Sequence, residues 1–280
     1  MFCRVVLCRD IDVDYAMNAL KPLLMLQFRT DAGIVLEQAS VLEKLSQDGV
    51  ASPPVHFLDA LDAHNDALFA DPAVLLSRYR GVILGGSAEL YFGGNNSREC
   101  EEKHEAMLVR LRPLVTYMLT HDFPTLGICF GHQLLTTFLG EKVVADSQQS
   151  ETGQLCVRLS DAGKQDPLFA GMPDDWKAFF MHRDSAQALP EGAVLLACGE
   201  RSRIGAFRYK TRIYGVQFHP ELDRHDHMPR LALHPEYIHG NIEDFLETLE
   251  WVPHARKVLH NFLNMTHDVA FAPIQISDNE

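Results

Sequence analysis

The segment Gly127-Ile128-Cys129-Phe130-Gly131 places a cysteine between two glycines, each two residues away. The apolar run 124–128 predicts a short buried strand, and apolar positions then recur at helical spacing as far as Gly140. A tight strand-to-helix turn needs small residues on both sides, so that the backbone folds back while the central side chain projects outward. The segment therefore predicts a nucleophilic Cys129 at a sharp turn between a strand and a helix.

Two features of this predicted turn would activate the Cys129 sulfur. The N-terminus of the following helix carries a partial positive charge, which favours the reactive thiolate over the thiol. The backbone N–H of Phe130 comes next along the chain and is free to donate to an oxyanion. The alternative is a buried core cysteine, which is the usual fate of a free thiol. The flanking glycines favour the nucleophile.

A base and its orienting group are predicted at His219-Pro220-Glu221, which follows a strongly apolar run. A thiolate nucleophile works with a base, and the base needs a third group to orient it. Residues i and i+2 of an extended segment face the same way, so His219 and Glu221 can meet, with Pro220 stiffening the corner. The tripeptide occurs again at 234–236. It is therefore the combination with Cys129 that is specific.

The rest of the chain alternates short aliphatic or β-branched runs with longer helical patterns, which favours a largely parallel sheet covered by helices. From residue 155 onward the predicted strands follow one another closely, which favours antiparallel hairpins added to that sheet. No segment reads as a linker, so we expect one domain. Strands are predicted at 2–7, 55–58, 81–84, 124–128, 155–159, 178–181, 194–198, 204–209 and 213–218, and helices at 34–45, 99–119, 130–139 and 241–263.

The charge balance and the apolar runs exclude several classes of partner. The 280 residues carry 38 acidic and 25 basic side chains, a net charge of −13, whereas a surface that coats nucleic acid needs clustered Lys and Arg. No run approaches the roughly 20 apolar residues of a membrane helix. The first ten residues are too short an apolar stretch for a secretory signal, and none of the six cysteines forms a Cys-x-x-Cys pair. We expect a cytoplasmic protein without nucleic-acid or membrane partners.

The segment 127–133 and the tripeptide 219–221 together resemble the class I glutamine amidotransferase domain. The resemblance implies a flavodoxin-like α/β fold, a mostly parallel open sheet flanked by helices, with antiparallel strands added and a C-terminal helical extension. It also implies roles for individual residues. Cys129 would be the nucleophile, His219 the general base and then acid, and Glu221 the residue that holds His219. The backbone amides of Gly86 and Phe130 would form the oxyanion hole.

The same resemblance implies the contacts to the substrate. Gly85 belongs to the glycine-rich oxyanion strand, Gln133 would contact the α-substituents of the substrate, and Arg183 and Asp184 lie in a loop that follows the bound glutamine. This sequence departs from the family at two positions. Ser87 stands where the family often has proline, and Arg183 stands where related loops often have glycine. A long cation at 183 adds a contact to the carboxylate of the substrate or clashes with it.

The resemblance covers residues 2–221. We expect an amidotransferase-like domain over 1–221 and, over 222–280, a loop and helical extension packed on the same domain. The extension could cap the edge of the active site or form the contact of a homodimer. The resemblance implies no cofactor, and the histidines between His225 and His239 match no zinc-ligand spacing. We therefore expect no metal site.

Three functions remain open from the sequence. The chain is a glutaminase that passes ammonia to a synthetase partner, a stand-alone γ-glutamyl hydrolase or peptidase, or a non-catalytic binding protein on the same fold. Its substrate in the first two cases is a small molecule, glutamine or a γ-glutamyl compound. No phosphate-binding Gly-x-x-x-x-Gly-Lys-Ser/Thr loop is present in the sequence, so any synthetase must be a separate subunit. The complete set of Cys129, His219 and Glu221 favours an enzyme.

Overall fold

The computed structural model describes residues 21–29, 31–46, 53–94, 97–233, 247, 249–250 and 252–266. The strands in these ranges are β1 (Leu23–Gln27), β2 (Val55–Asp59), β3 (Gly81–Leu84), β4 (Thr125–Ile128), β5 (Val143–Ala145), β6 (Glu151–Leu159), β7 (Asp175–His182), β8 (Asp184–Ala186), β9 (Ala193–Cys198), β10 (Ala206–Tyr209) and β11 (Ile213–Val216). The α-helices are α1 (Asp31–Leu45), α2 (Asp66–Ala70), α3 (Pro72–Leu76), α4 (Arg98–His121), α5 (Phe130–Phe138), α6 (Asp161–Gln165), α7 (Arg224–Leu233) and α8 (Lys257–Met265).

The main sheet has the strand order β2-β1-β3-β4-β11-β10-β9-β6-β7. Neighbouring strands from β2 to β11 run parallel, and the pairings from β11 to β7 are antiparallel. β5 and β8 form a separate antiparallel pair. The protein thus has the predicted α/β fold, a parallel open sheet flanked by helices with antiparallel strands added.

Both faces of the parallel part of the sheet are buried, and β1 shows how. Leu23 and Met25 belong to one hydrophobic cluster, which also contains side chains of α1 and α8. Leu24 and Leu26 belong to a second cluster on the other face, with side chains of α4 and α5. Alternate residues of a strand point to opposite faces, so a strand covered by helices on both sides must be apolar throughout. This packing fixes the edge of the sheet at which β1, β3 and β4 end.

The element predictions differ from the structure at the two ends of the chain. The strand expected at 2–7 lies outside the described residues, and β1 at Leu23–Gln27 was not predicted. The single helix expected over 241–263 is wrong, because residues 249–250 and 252–256 are not helical and α8 begins at Lys257. Pro253 lies in this break, and proline has no backbone N–H to continue a helix.

α8 nevertheless packs as a helical extension should. Val258, Leu259 and Phe262 are buried in the same cluster as Leu23 and Met25 of β1. No helix in the described ranges is long and apolar enough to cross a membrane.

Candidate active site

Cys129 occupies a sharp turn between β4 and α5. Its backbone angles are φ 50° and ψ −97°, which non-glycine residues rarely adopt. The flanking glycines make this turn sterically feasible. A Cβ atom at Gly127 would lie 2.5 Å from the carbonyl oxygen of Gly131, and one at Gly131 would lie 2.3 Å from the carbonyl oxygen of Leu84. The local geometry is that of the predicted strand-nucleophile-helix turn.

The parallel strands bring the predicted site residues to one edge of the sheet. Leu84 of β3 is paired with Gly127 of β4, and Ile128 of β4 with Val216 of β11. The strands therefore end side by side, and the residues that follow them meet at the carboxyl edge, where open α/β sheets bind their ligands. The N–H of Cys129 donates to the carbonyl of Val216 at 2.8 Å, which ties the turn to the neighbouring strand.

His219 and Glu221 form a buried pair beside Cys129. His219 Nδ1 lies 2.7 Å from Glu221 Oε1, and the two residues are 2% and 1% exposed. Burial alone lowers the pKa of His219, but the negative charges of Glu221 and the Cys129 thiolate outweigh it and raise this pKa to about 10. Burial likewise raises the pKa of Glu221, and the adjacent His219 outweighs it and holds that pKa below its usual value. The pair is arranged to keep a proton on the imidazole.

The Cys129 sulfur has two further polar neighbours. Its Sγ lies 3.7 Å from the carbonyl oxygen of Met181 and accepts a hydrogen bond from Gln217 Nε2 at 3.6 Å. Gln217 was not predicted, although it lies two residues before His219 and so shares its side of the extended chain. That spacing was the available signal.

The two predicted oxyanion donors differ in their present partners. Phe130 is the first residue of α5, where the backbone N–H has no acceptor within the helix. The N–H of Gly86 instead donates to Glu37 Oε1 at 3.1 Å. Glu37 is 1% exposed and was not predicted. Gly86 therefore lies beside the reaction centre with its N–H already bound to a carboxylate.

Glu37 belongs to a buried polar network at the start of α1. Arg29 Nε donates to Glu37 Oε1 at 3.1 Å, and Gln27 Nε2 donates to Glu37 Oε2 at 2.9 Å. Burial raises the pKa of Glu37, because the ionised carboxylate loses its hydration. These three residues are far from the predicted motifs in the sequence and carry no pattern of their own, so no sequence signal pointed to them.

A cleft of about 250 Å³, part of it open to solvent, leads to Cys129. Arg183 forms part of its wall, with its guanidinium 4.0 Å from the centroid of the Tyr91 ring. Arg183 Nη2 donates to the carbonyl of Gly94 at 2.7 Å, and Nε donates to Asp184 Oδ1 at 3.0 Å. The side chain is held on three sides and is still about one-third exposed.

Gln133 and Asp184, two of the predicted substrate contacts, line the same cleft and bind each other. Gln133 Nε2 donates to the backbone carbonyl of Asp184 at 2.8 Å. The Asp184 carboxylate accepts from the N–H of Gly93 at 2.7 Å. His182 Nδ1 lies 3.0 Å from that same Asp184 carbonyl, and its Nε2 lies 3.1 Å from the buried Glu151. Both predicted residues thus fix the cleft wall as well as lining it.

No cluster of three or more metal-ligating side chains occurs among the residues that the structure describes. His234 and His239 of the histidine-rich segment lie outside those residues, so the prediction of no metal site stays a prediction.

A buried His–Glu pair beside a cysteine on a strand-to-helix turn, at the carboxyl edge of this sheet, is the arrangement expected of a class I glutamine amidotransferase. The comparisons agree. The family model "Glutamine amidotransferase class-I" matches residues 94–232. The amidotransferase subunit of the glutamine-hydrolysing GMP synthase of Methanopyrus kandleri is 33% identical over 153 residues, 54% of this chain and 72% of the relative. The chain belongs to the class I glutamine amidotransferase family.

Other relatives are longer, and solved structures share the fold. The glutamine-hydrolysing GMP synthase of Thermosipho africanus is 39% identical over 107 residues, which is 38% of this chain and only 20% of that protein. A glutamine amidotransferase from Thermotoga maritima superposes with a TM-score of 0.65 at 20% identity, covering 90% of this chain and all of the other. One from Methylobacillus flagellatus gives 0.62 at 18% identity, covering 88% and 95%.

Proposed function

We propose that this protein hydrolyses the γ-amide of glutamine, or of a related γ-glutamyl compound, with Cys129 as its nucleophile. The observation that carries the proposal is the pairing of His219 with Glu221 at 2.7 Å beside a cysteine held at φ 50°. A nucleophile, a base and a group that orients the base are the three parts that covalent amide hydrolysis requires.

The chemistry proceeds in two halves. The Cys129 thiolate attacks the amide carbon, and a C–S bond forms as the carbonyl oxygen takes up negative charge. His219 gives its proton to the leaving nitrogen, the C–N bond breaks, and ammonia departs from a γ-glutamyl thioester. Water then gives a proton to His219 and attacks the thioester. Glutamate leaves and the thiolate is regenerated. Glu221 holds His219 in the orientation that both halves need.

We assign the negative charge of the tetrahedral intermediates to the backbone N–H groups of Phe130 and Gly86. Phe130 supports this assignment by its position at the start of α5, where the helix dipole also favours an anion. Gly86 supports it by its place directly after β3, beside His219. Its N–H has to leave Glu37 before it can serve.

The cleft supplies the proposed substrate contacts. Gln133 and Asp184 line the approach to Cys129, and Arg183 offers a fixed cation on the wall. Gly85 is held against the first turn of α5 through its carbonyl oxygen. A guanidinium fixed in this way is suited to a carboxylate, because the fork of N–H donors matches the two oxygens. We propose that Arg183 binds the α-carboxylate of the substrate.

Two fates of the ammonia are proposed. Several relatives are named as single subunits of a glutamine-hydrolysing GMP synthase, which supports a glutaminase that serves a separate synthetase subunit. The second candidate is a stand-alone γ-glutamyl hydrolase. It is favoured by Arg183, whose side chain narrows the part of the cleft that would hold the α-substituents and could select a conjugate rather than free glutamine.

We assign residues 1–221 to the amidotransferase domain and 222–280 to an extension packed on it. Lys44 of α1 supports this division, because its Nζ lies 2.9 Å from Asp223 and 3.1 Å from Asp226. Arg230 Nη2 also donates to the carbonyl of Leu36 at 3.0 Å. We propose that the extension supports α1, the helix that carries Glu37.

The test is release of ammonia and glutamate by the purified protein from glutamine and from a panel of γ-glutamyl peptides and amines. Cys129→Ala is the inactive variant, and Cys100→Ala, on the half-buried outer part of α4, is the matched control. Release that is lost only in Cys129→Ala supports the proposal and identifies the substrate class. Silence on the panel, together with labelling of Cys129 by a glutamine-analogue electrophile, supports the glutaminase that awaits its synthetase. Release that persists in Cys129→Ala contradicts the proposal.

A further inference from the structure

The peptide unit that joins Gly85 to Gly86 is hydrogen-bonded at both ends. The carbonyl oxygen of Gly85 accepts from the N–H of Gly131, in the first turn of α5, at 3.1 Å. The N–H of Gly86 donates to Glu37 Oε1, also at 3.1 Å. The preceding N–H, that of Gly85, donates to Leu26 at 3.0 Å and continues the sheet pairing. The orientation of this one peptide plane is therefore fixed.

That orientation is the reverse of the one that hydrolysis needs. In a planar trans peptide the C=O and N–H groups point in opposite directions. The Gly85 carbonyl is turned toward the helix that begins after Cys129, so the Gly86 N–H is turned away from it, toward α1. An oxyanion formed beside Cys129 is stabilised by an N–H donor and repelled by a carbonyl oxygen.

Glu37 is held firmly in the position from which it binds Gly86. Its carboxylate accepts from Arg29 Nε and Gln27 Nε2 and is buried. A hydrogen bond to an ionised acceptor is roughly twice as strong as a neutral one. The Gly86 N–H is therefore bound more tightly than an ordinary backbone amide.

The two glycines are packed against the ion pair and also make a rotation of their peptide feasible. A Cβ atom at Gly85 would lie 2.8 Å from Glu37 Oε1, and one at Gly86 would lie 2.8 Å from Arg29 Nη2. Only glycine fits at either position while the Arg29–Glu37 pair is in place. Glycine also has the widest choice of backbone angles, so a peptide between two glycines can turn over.

We propose that Glu37 is a positioning residue that holds the 85–86 peptide in a resting orientation, and that turnover requires this peptide to rotate so that the Gly86 N–H faces Cys129. The inference rests on the proposed hydrolysis at Cys129. Rotation breaks the two hydrogen bonds to Gly131 and Glu37 and turns the Gly85 carbonyl toward Glu37. The carboxylate opposes the rotated state because two acceptor oxygens then face each other.

The variant that tests this is Glu37→Gln. A side-chain amide is a weaker acceptor for the Gly86 N–H than a carboxylate, and its NH₂ group can donate to the Gly85 carbonyl after rotation. We expect kcat for glutamine hydrolysis to rise about fivefold, the difference between a charged and a neutral acceptor, with KM unchanged. The matched control is Glu43→Gln on the same helix, which removes an exposed carboxylate and should leave kcat as in the wild type.

A second variant covers loss of folding, since Glu37→Gln leaves the buried Arg29 without its anionic partner. The double variant Arg29→Gln/Glu37→Gln removes both charges and avoids an uncompensated buried cation. It should also hydrolyse glutamine faster than the wild type. Thermal unfolding of each variant shows which of them to compare.

A structure of the wild-type protein with a glutamine-analogue electrophile bound to Cys129 gives the second readout. We expect the Gly86 nitrogen within about 3.2 Å of the oxygen of the adduct and no longer bonded to Glu37. An active wild type with folded Glu37 variants that are equal or slower, or an adduct in which Gly86 still binds Glu37, overturns the positioning role and leaves the proposed hydrolysis intact. A wild type that neither hydrolyses nor is labelled, with variants that behave likewise, rejects the proposed function and this inference with it.

Discussion

His219 Nδ1 lies 2.7 Å from Glu221 Oε1, and only Pro220 separates the two residues in the chain. Both side chains are buried, so the carboxylate acts on the imidazole with little screening by water. This raises the pKa of His219 against the opposing effect of burial. A residue on an extended segment is thus oriented and charged by its second neighbour.

Replacing Glu221 by Gln should reduce hydrolysis strongly and change its pH profile. The amide keeps the size of the side chain but removes the negative charge that holds the proton on His219, so the pKa of His219 falls in the variant. We expect kcat to fall by about a hundredfold or more, as when the orienting carboxylate of a triad is neutralised. Steady-state rates between about pH 6 and 10 measure this. An unchanged profile would show that Glu221 does not act on His219.

The stability of the protein should depend on pH through the same pair. The pKa of His219 is about 10 in the folded state and has its ordinary value of about 6.5 in the unfolded chain. Its contribution is therefore complete below about pH 6.5 and disappears as pH rises through about 10. The free energies of unfolding of the wild type and His219→Gln, measured in urea at these two pH values, should converge at the higher one. A constant difference would exclude this linkage.

The glycine at 127 should tolerate no side chain. Gly127→Ala places a Cβ 2.5 Å from the carbonyl oxygen of Gly131, where the clash is with backbone that cannot move alone. We expect a loss of about 1–3 kcal/mol of unfolding free energy and of most of the activity. Gly33→Ala on α1 is the control, because its Cβ has no neighbour closer than 3.5 Å and alanine favours a helix. Urea unfolding and activity of both variants test this, and a fully active Gly127→Ala would refute the steric account.

Arg183 should control substrate affinity rather than the chemical step. Arg183→Ala removes the cation at the cleft wall, and a hydrogen bond to a charged group contributes about 1.5–3 kcal/mol, so we expect KM to rise at least tenfold with kcat nearly unchanged. Arg183→Lys keeps the charge but loses the fork of donors and should give an intermediate KM. If KM for glutamine falls in Arg183→Ala, the side chain excludes free glutamine and the conjugate hydrolase is favoured.

The parts of the site that the sequence made predictable are those encoded locally. The glycines around Cys129 and the i, i+2 relation of His219 and Glu221 are local patterns, and each has a direct steric or conformational meaning. The helix over 34–45 and the strand over 81–84 also follow from local periodicity. These patterns suffice to place the nucleophile on its turn.

What the sequence left open depends on contacts between distant segments. Glu37 meets Gly86 across 49 positions, through the packing of α1 against the end of β3. A glycine pair indicates a backbone that can turn but not which way its peptide faces. β1 is a five-residue apolar run without alternation, a pattern that a buried strand shares with a piece of buried helix.

The central claim is that Cys129 forms a covalent γ-glutamyl thioester. The most direct measurement mixes the protein with glutamine, stops the reaction in acid after a fraction of a turnover, and determines by mass spectrometry which peptide carries a γ-glutamyl group. The account predicts the group on the Cys129 peptide in the wild type and in Cys100→Ala, and none in Cys129→Ala. Hydrolysis of glutamine at the wild-type rate by Cys129→Ala, or a γ-glutamyl group on another residue only, would contradict it.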